Sequence, residues 1–388
     1  MKRKLTFLIE SHLDRRDYIR FGIQYLASRY SVQILDCTHF VYPKIPAQPN
    51  VIVDRSYQYI SILSTHEVGN IDPVGICGIV IDILGETVAA NVIRRRIFQN
   101  GGLRVVLRVG KLYFTPVPLL ARLMSSMHKA WRLTTLQFSL ARVAGMLDKW
   151  RSPVRSVDLF IHGGIADSKA TKKTSVIHAH SFDYDEWRRL SRSNLAHQDK
   201  YALFLDEDII YHPDYARFGV QPPATEAVYY PAMNRFFNEY ERYTGIPVYI
   251  ALHPRAQYSK QSNMWGNRKL LHGQTSAAVN GASQIFIHFS TSISFAILEN
   301  KPITHLISNQ LMKSFMGRQI CGLSHFLNTP LLNIDYELKE NLTHFLNKID
   351  ITRYITYKNM YLKADGSLEA PLWEIIANAA EQQLVEAD

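Results

Sequence analysis

Short apolar, partly β-branched runs that each stop at a polar loop constrain the fold of this chain most strongly. Val248–Leu252 stops at His253-Pro254, and Ser283–His288 stops at Ser290–Ser292. Helical patterns separate these runs, which predicts parallel strands in a sheet covered by helices. Ligands of such a sheet bind beyond the carboxyl ends of its strands. The polar residues that follow the runs are therefore expected to form one site.

The same alternation appears twice along the chain. Leu5–Ile9, Asp14–Tyr30 and Ser31–Leu35 predict a first strand, helix and strand, and Tyr201–Leu205 begins a second such unit after the polar stretch Ser191–Lys200. We predict one Rossmann-like domain over residues 1–190, a second over residues 191–370, and a terminal helix over residues 371–388 that can cross back to the first. The fold class is then α/β and GT-B-like, with two Rossmann-like domains facing a central cleft. Sugar-nucleotide epimerases and periplasmic-type binding proteins have similar halves, so the fold alone does not choose a function.

Composition and charge limit the kinds of ligand and surface that the chain can bind. The chain has 388 residues and a formal charge of +10, which suits nucleic acid, an anionic membrane surface or an anionic small substrate. No nucleic-acid-binding signature is present, so nucleic acid is the weakest of the three. No window reaches the roughly 18 apolar residues of a membrane span. We expect a cytoplasmic protein, and a helical pattern over Pro118–Trp131 is either a membrane- or acceptor-contacting face or an ordinary amphipathic helix.

Phosphate binding is the first chemistry that the site residues indicate. His253 and Arg255 follow one strand, and Ser290 and Thr291 precede the helical pattern Ile293–Leu298. Hydroxyls beside the free N–H groups of a helix start bind phosphate, although Ser290 or Thr291 could equally be a simple N-cap. Three further residues follow another predicted strand and are expected at the same edge of the sheet: His272, Gly273 and Thr275.

A general base is the second requirement of such a site. Carboxylates at predicted strand ends are candidates, since neighbouring carboxylates raise one another's pKa toward neutrality, and they are Asp183, Asp185, Asp206, Glu207 and Asp208. The alternative is that these residues cap turns and helices. Acidic residues 206–208 also suit Mg²⁺, and His212 with Asp214 could be ligands. A metal nevertheless ranks behind the other two kinds of site, and none is predicted.

The order of these motifs resembles the bacterial sialyltransferases and polysialyltransferases and the related Kdo-transferase-like capsule enzymes. Asp206-Glu207-Asp208, His253-Pro254 and Ser290-Thr291-Ser292 carry the resemblance, which covers about residues 175–302. The family's acidic motif usually ends in Gly, whereas this chain has Asp208 there. Asp183 and Asp185 therefore stay open as alternative bases.

The resemblance implies an inverting GT-B glycosyltransferase that uses a CMP-activated acidic sugar and needs no metal or other cofactor. It implies that His253, Thr291 and Ser292 contact the CMP phosphate and that Asp206 or Asp208 is the base. The first domain would then bind a glycan or lipid-linked acceptor at the inner membrane, and the second the nucleotide-sugar donor. Two alternatives are a CDP-glycerol or CDP-ribitol phosphotransferase and a non-catalytic nucleotide-sugar- or glycan-binding protein.

Overall fold

The structure is a computed structural model. It describes residues 2–45, 52, 54–72, 78–115, 133–166, 174–190, 200–212, 214–215, 220–255, 263–341 and 346–386, with side chains from residue 140 onward in the helix that begins at Leu133. In this part of the chain, no helix is long and apolar enough to cross a membrane.

The first domain contains a sheet of seven parallel strands in the order β3-β2-β1-β4-β5-β6-β7. Its strands are β1 (Lys4–Ile9), β2 (Ser31–Asp36), β3 (Tyr57–Ser61), β4 (Ile79–Asp82), β5 (Leu103–Arg108), β6 (Leu159–His162) and β7 (Ser175–His178). The central strand β1 is buried from Leu5 to Ile9, because helices cover both faces of such a sheet.

The second domain contains a sheet of six parallel strands in the order β10-β9-β8-β11-β12-β13. Its strands are β8 (Tyr201–Leu205), β9 (Val248–Leu252), β10 (Leu270–His272), β11 (Ala282–Ile287), β12 (Ile303–Ile307) and β13 (Leu331–Asn333). The first six positions of both sheets follow the doubly wound order 3-2-1-4-5-6. The prediction of two Rossmann-like domains is confirmed.

Helices connect the strands. In the first domain they are α1 (Arg15–Arg20), α2 (Ile23–Arg29), α3 (Thr38–Val41), α4 (Thr65–Asn70), α5 (Val88–Ile97), α6 (Leu133–Arg151) and α7 (Phe182–Leu190). Those that follow are α8 (Glu226–Thr244), α9 (Thr275–Gly281), α10 (Ile293–Leu298), α11 (Asn309–Lys313), α12 (Gly317–Leu327), α13 (Ile351–Tyr357) and α14 (Leu372–Val385).

The last helix, α14, packs in the core of the first domain. Leu372 and Ile376 are buried among the side chains of β1, β4 and β5. The indole of Trp373 donates a hydrogen bond of 2.6 Å to the carbonyl of Arg20 and lies so close to Gly22 that a Cβ there would be 2.4 Å from a ring carbon. Gly22 also has a φ of 55°, a conformation that glycine adopts without steric cost.

Two predicted helices differ from the structure. The single helix expected over Asp14–Tyr30 is divided into α1 and α2 at Gly22, because the chain must leave room for Trp373. The helix expected over Tyr336–Lys348 is wrong at its start, where residues 336–339 are not helical. The predicted helix over Pro118–Trp131 and residues 191–199 of the predicted linker lie outside the described residues.

Candidate functional site

The candidate site lies in the cleft, at the point where strand order reverses in each sheet. This point lies between β1 and β4 in the first domain and between β8 and β11 in the second. Neighbouring loops diverge there and leave a crevice beyond the carboxyl ends of the strands, which is where ligands bind in doubly wound domains. His12 follows β1, and His253 follows β9, next to β8.

His253 offers a neutral imidazole to this crevice. Its Nδ1 accepts the backbone N–H of Arg255 at 3.2 Å, so the proton of the neutral ring is on Nε2. Burial, helped by the neighbouring His212, Arg16 and Arg255, lowers the pKa of His253 to about 3. The side chain is therefore an uncharged N–H donor at neutral pH.

Arg255 links the two domains across the cleft. Its guanidinium lies 3.9 Å from Asp14 and 3.8 Å from Asp17 of the first domain, and 3.9 Å from Asp214 of its own domain. These long, partly exposed ion pairs are weak ones. The Arg255 side chain is 28% exposed, so an anion that enters the cleft can replace them.

The acidic motif after β8 is buried beneath the site. One oxygen of Glu207 accepts the backbone N–H groups of His288, at 3.1 Å, and of Phe289. One oxygen of Asp206 accepts the backbone N–H of Asp208 at 3.0 Å, and Asp208 has a φ of 52°. Burial raises the pKa of Asp206 to about 7 and that of Glu207 to about 8. Glu207 thus fixes the start of the loop that carries Ser290–Ser292.

That loop presents hydroxyl groups at the start of α10. The Oγ atoms of Ser290 and Ser292 are 2.9 Å apart, and Ser290 Oγ accepts the backbone N–H of Ser292 at 3.3 Å. Thr291 is exposed. Ser292 is the N-cap residue of α10 but makes no side-chain capping bond. The exposed Thr291 and the mutually hydrogen-bonded hydroxyls of Ser290 and Ser292 therefore lie at the start of this helix, where the phosphate interpretation expects hydroxyl groups.

The other predicted site residues lie at or just after the end of β10, which pairs with β9, or on α7. His272 and Gly273 are exposed at the end of the edge strand β10, and Thr275 begins α9. Asp183 pairs with Arg20 at 2.7 Å, and Asp185 accepts the backbone N–H of Leu372 at 3.0 Å. The structure therefore gives both carboxylates contacts that hold α7 against α1 and α14, and their role as a base stays a prediction.

A His–Asp pair in the first domain was missed from the sequence. His12 Nδ1 lies 2.7 Å from Asp36 Oδ2. Burial alone would raise the pKa of Asp36, but hydrogen bonds from Thr38, Tyr59 and His12 outweigh it and hold that pKa below its ordinary value. Asp36 is therefore ionised and can only accept, so Nδ1 of His12 donates to it. The neutral ring then has its lone pair on Nε2, which is the form that acts as a base.

Within the ranges that the structure describes, no group of three or more His, Cys, Asp or Glu side chains could hold a metal ion. Burial lowers the pKa of His212, which faces His253 at a ring-centroid distance of 4.7 Å, although nearby Asp214 opposes that shift. The acidic motif is held by backbone N–H groups instead.

Comparison with known proteins identifies the fold. No family model matches the chain, and no curated protein sequence matches it. Among solved structures, it is similar to CalG4, the calicheamicin glycosyltransferase, with 10% identity, a TM-score of 0.53, and coverage of 100% of this chain and 99% of that one. It is similar to the wall teichoic acid polymerase TagF soaked with CDPG, with 10% identity, a TM-score of 0.54, and coverage of 99% and 90%. The predicted GT-B fold is thereby confirmed.

Proposed function

We propose that the chain is an inverting glycosyltransferase that moves an acidic sugar, a nonulosonic acid or a Kdo-like sugar, from a CMP-sugar donor to a bacterial surface glycan. One observation carries this proposal. His12 lies on the loop after β1 and pairs with Asp36 at the end of β2. Asp14 of the same loop and Asp17 of the following helix α1 meet Arg255 beside His253. The proposal thus assigns a base and a phosphate-binding group to the two sides of one cleft.

His12 is the base in this mechanism. The acceptor hydroxyl attacks the anomeric carbon, and its proton passes to Nε2 of His12 while Asp36 stabilises the imidazolium. The His12 side chain is partly exposed, whereas Asp206 and Asp208 are buried. A nearly inaccessible carboxylate cannot reach an acceptor hydroxyl without rearrangement. We therefore prefer His12 to the carboxylates that the family resemblance implies.

The second domain stabilises the leaving group. As the bond between the anomeric carbon and the phosphate oxygen breaks, CMP takes both electrons, and its phosphate accepts hydrogen bonds from His253 Nε2–H and from the hydroxyls of residues 290–292. Arg255 supplies a positive charge to the same oxygens. Such preorganised donors lower the barrier because they are aimed at developing negative charge. Attack from the face opposite the phosphate inverts the anomeric centre.

No divalent metal is needed in this scheme. Arg255, His253 and the loop hydroxyls supply the phosphate contacts that a metal supplies elsewhere, and the family resemblance implies metal independence. Activity that persists in EDTA would agree with this expectation. Activity that returns only when Mg²⁺ or Mn²⁺ is added would contradict it.

A membrane contact through α6 is part of the proposal. Large apolar side chains of α6 are exposed at intervals of three or four residues: Leu140, Val143, Leu147 and Trp150. Trp150 is the most exposed of them, at 83%. Exposed Arg151 adds positive charge. An apolar stripe with basic neighbours fits an anionic lipid surface. The protein would then reach a lipid-linked acceptor from the cytoplasmic side of the inner membrane.

A CDP-glycerol- or CDP-ribitol-type phosphotransferase is the second candidate. A histidine base and a neutral histidine beside arginine suit attack on phosphorus as well as attack on an anomeric carbon. The similarity of the fold to that of TagF, which was soaked with CDPG, also supports this candidate. In both reactions CMP is the leaving group, so only the donor distinguishes them.

Calorimetric titration tests the proposal first. Wild-type protein is titrated with CMP, UMP, UDP and GDP, with and without Mg²⁺, and a preference for CMP is expected. CMP-sugars and CDP-glycerol are then compared for transfer. A preference for UDP or GDP would overturn the assignment of the donor. Binding of CMP without transfer from any donor would leave a non-catalytic nucleotide-binding protein.

A further inference from the structure

A second His-Pro turn lies beside the first. His212 lies seven residues beyond the end of β8, whereas His253 directly follows β9, and each histidine precedes a proline in the sequence. In each turn the ring Nδ1 accepts the backbone N–H of the residue two positions later: Asp214 at 3.2 Å and Arg255 at 3.2 Å. The loops after two neighbouring strands of the second sheet therefore each contain a histidine with the same side-chain-to-backbone hydrogen bond.

These turns place two imidazoles in contact and in the same tautomer. The ring centroids are 4.7 Å apart, and the ring planes are inclined by 59°. Since each Nδ1 is already an acceptor, each neutral ring has its proton on Nε2. Burial lowers the pKa of both histidines, and the neighbouring Arg255 and Arg16 lower it further, although Asp214 opposes the shift of His212. A charged imidazolium is therefore disfavoured in this cluster. The cluster thus offers two uncharged N–H donors next to a guanidinium.

We propose that His212 is a second phosphate ligand, which donates Nε2–H to the phosphate of the bound cytidine nucleotide alongside His253. This inference rests on the proposed function and adds a residue to its donor site. Two neutral donors and one cation match the several oxygens and the charge of a phosphate better than one histidine does. The alternative is a purely structural role, in which His212 only stabilises the loop after β8.

The test compares CMP with cytidine, which lacks the phosphate, by calorimetry. For His212→Ala we expect CMP affinity to fall by about 10- to 100-fold, because a hydrogen bond to a charged group is lost. Cytidine affinity should stay unchanged. His325→Ala, an exposed histidine on α12 of the same domain, serves as the matched control and should bind both ligands normally.

Two amide variants separate a hydrogen bond from packing. The amide nitrogen of a glutamine comes near the position of Nε2, whereas that of an asparagine comes near Nδ1. His212→Gln should therefore keep CMP affinity within about 3-fold of wild type, and His212→Asn should behave like His212→Ala. Equal losses of CMP and cytidine affinity in a folded His212→Ala, or equal affinities of the two amide variants, would overturn the inference.

Failure of the proposed function gives a different result. If the wild type binds no cytidine nucleotide, the donor assignment falls, and titration with inorganic phosphate and pyrophosphate tests the histidine pair itself. Weaker binding of these anions by His212→Ala than by wild type would still support the second phosphate ligand. Equal binding, or no binding by the wild type, would overturn it. Should His212→Ala fail to fold, the two amide variants make the same comparison.

Discussion

Replacing Asp36 by asparagine should prevent Nε2 of His12 from acting as a base while the His12 side chain stays in place. One oxygen of Asp36 accepts from the backbone N–H of Thr38 at 2.9 Å and from its hydroxyl, and the other accepts from His12 and Tyr59. An asparagine can keep its oxygen toward Thr38, and its NH₂ then faces Nδ1 of His12. Nδ1 must become the acceptor, and the proton moves to Nε2.

The size of the effect follows from the lost base. A positioned general base contributes about 10²- to 10⁴-fold in rate, which is about 3 to 5 kcal/mol of activation free energy. Loss of the charged hydrogen bonds costs about 1.5 to 3 kcal/mol of folding stability, so the variant should still fold. Because the folded pKa of Asp36 is lowered, its stabilisation is present above the unfolded pKa of about 3.9 and is lost as pH falls through the folded value. Asp36→Asn should lack this acid-side loss.

Two assays check this prediction. Long-range ¹H–¹⁵N correlation spectra report which ring nitrogen of His12 carries the proton, and we expect Nδ1 in the wild type and Nε2 in Asp36→Asn. Transfer from the donor that the wild type accepts gives the rate, with the exposed Asp365→Asn as the matched control. The reasoning would be refuted by a wild-type His12 protonated on Nε2, or by a variant with a changed tautomer and an unchanged rate.

Three further predictions concern other parts of the molecule. Burial raises the pKa of Glu207 to about 8. The stability of the wild type against urea, measured relative to that of Glu207→Gln, should therefore fall as the pH rises from about 4.5 to 8; parallel pH profiles of the two proteins would contradict this. Trp150→Glu should weaken sedimentation with anionic vesicles about tenfold and leave CMP binding intact, whereas unchanged sedimentation would exclude α6 as the contact. Asp82→Ala should cost about 3 to 5 kcal/mol in urea unfolding, since it leaves Arg94 and Arg104 buried without their carboxylate; a loss below about 1 kcal/mol would contradict this.

The fold was predictable because apolar runs mark buried parallel strands. Val248–Leu252 and Tyr201–Leu205 were predicted with the bounds that the structure has. A parallel sheet brings the carboxyl ends of its strands to one edge, so the placement of His253 after β9 and of Ser290–Ser292 after β11 at the same edge could also be expected. The break at Gly22 could not, because it depends on Trp373, which is distant in sequence.

The base and the loop anchor depend on contacts between distant residues. His12 and Asp36 meet because β1 and β2 are adjacent and in register, with Ile9 opposite Asp36. A signal was present, since both strands end in polar residues at neighbouring positions of one sheet edge. Glu207 reaches the backbone of His288 across the pairing of β8 with β11. Its sequence pattern suggested a general base, whereas in the structure its carboxylate accepts the backbone N–H groups of His288 and Phe289.

The position of α14 makes the first domain discontinuous, so that the second domain is an insertion within it. The core around β1 contains Leu372 and Trp373, and it stays incomplete during synthesis until these residues leave the ribosome. The second sheet, from Tyr201 to Asn333, is complete earlier. We expect the second domain to fold first and the first domain to complete its core only after the whole chain has been synthesised. Two chain connections then join the domains. The cleft therefore opens by a hinge rotation about both connections, and the domains move less freely than they would with one linker.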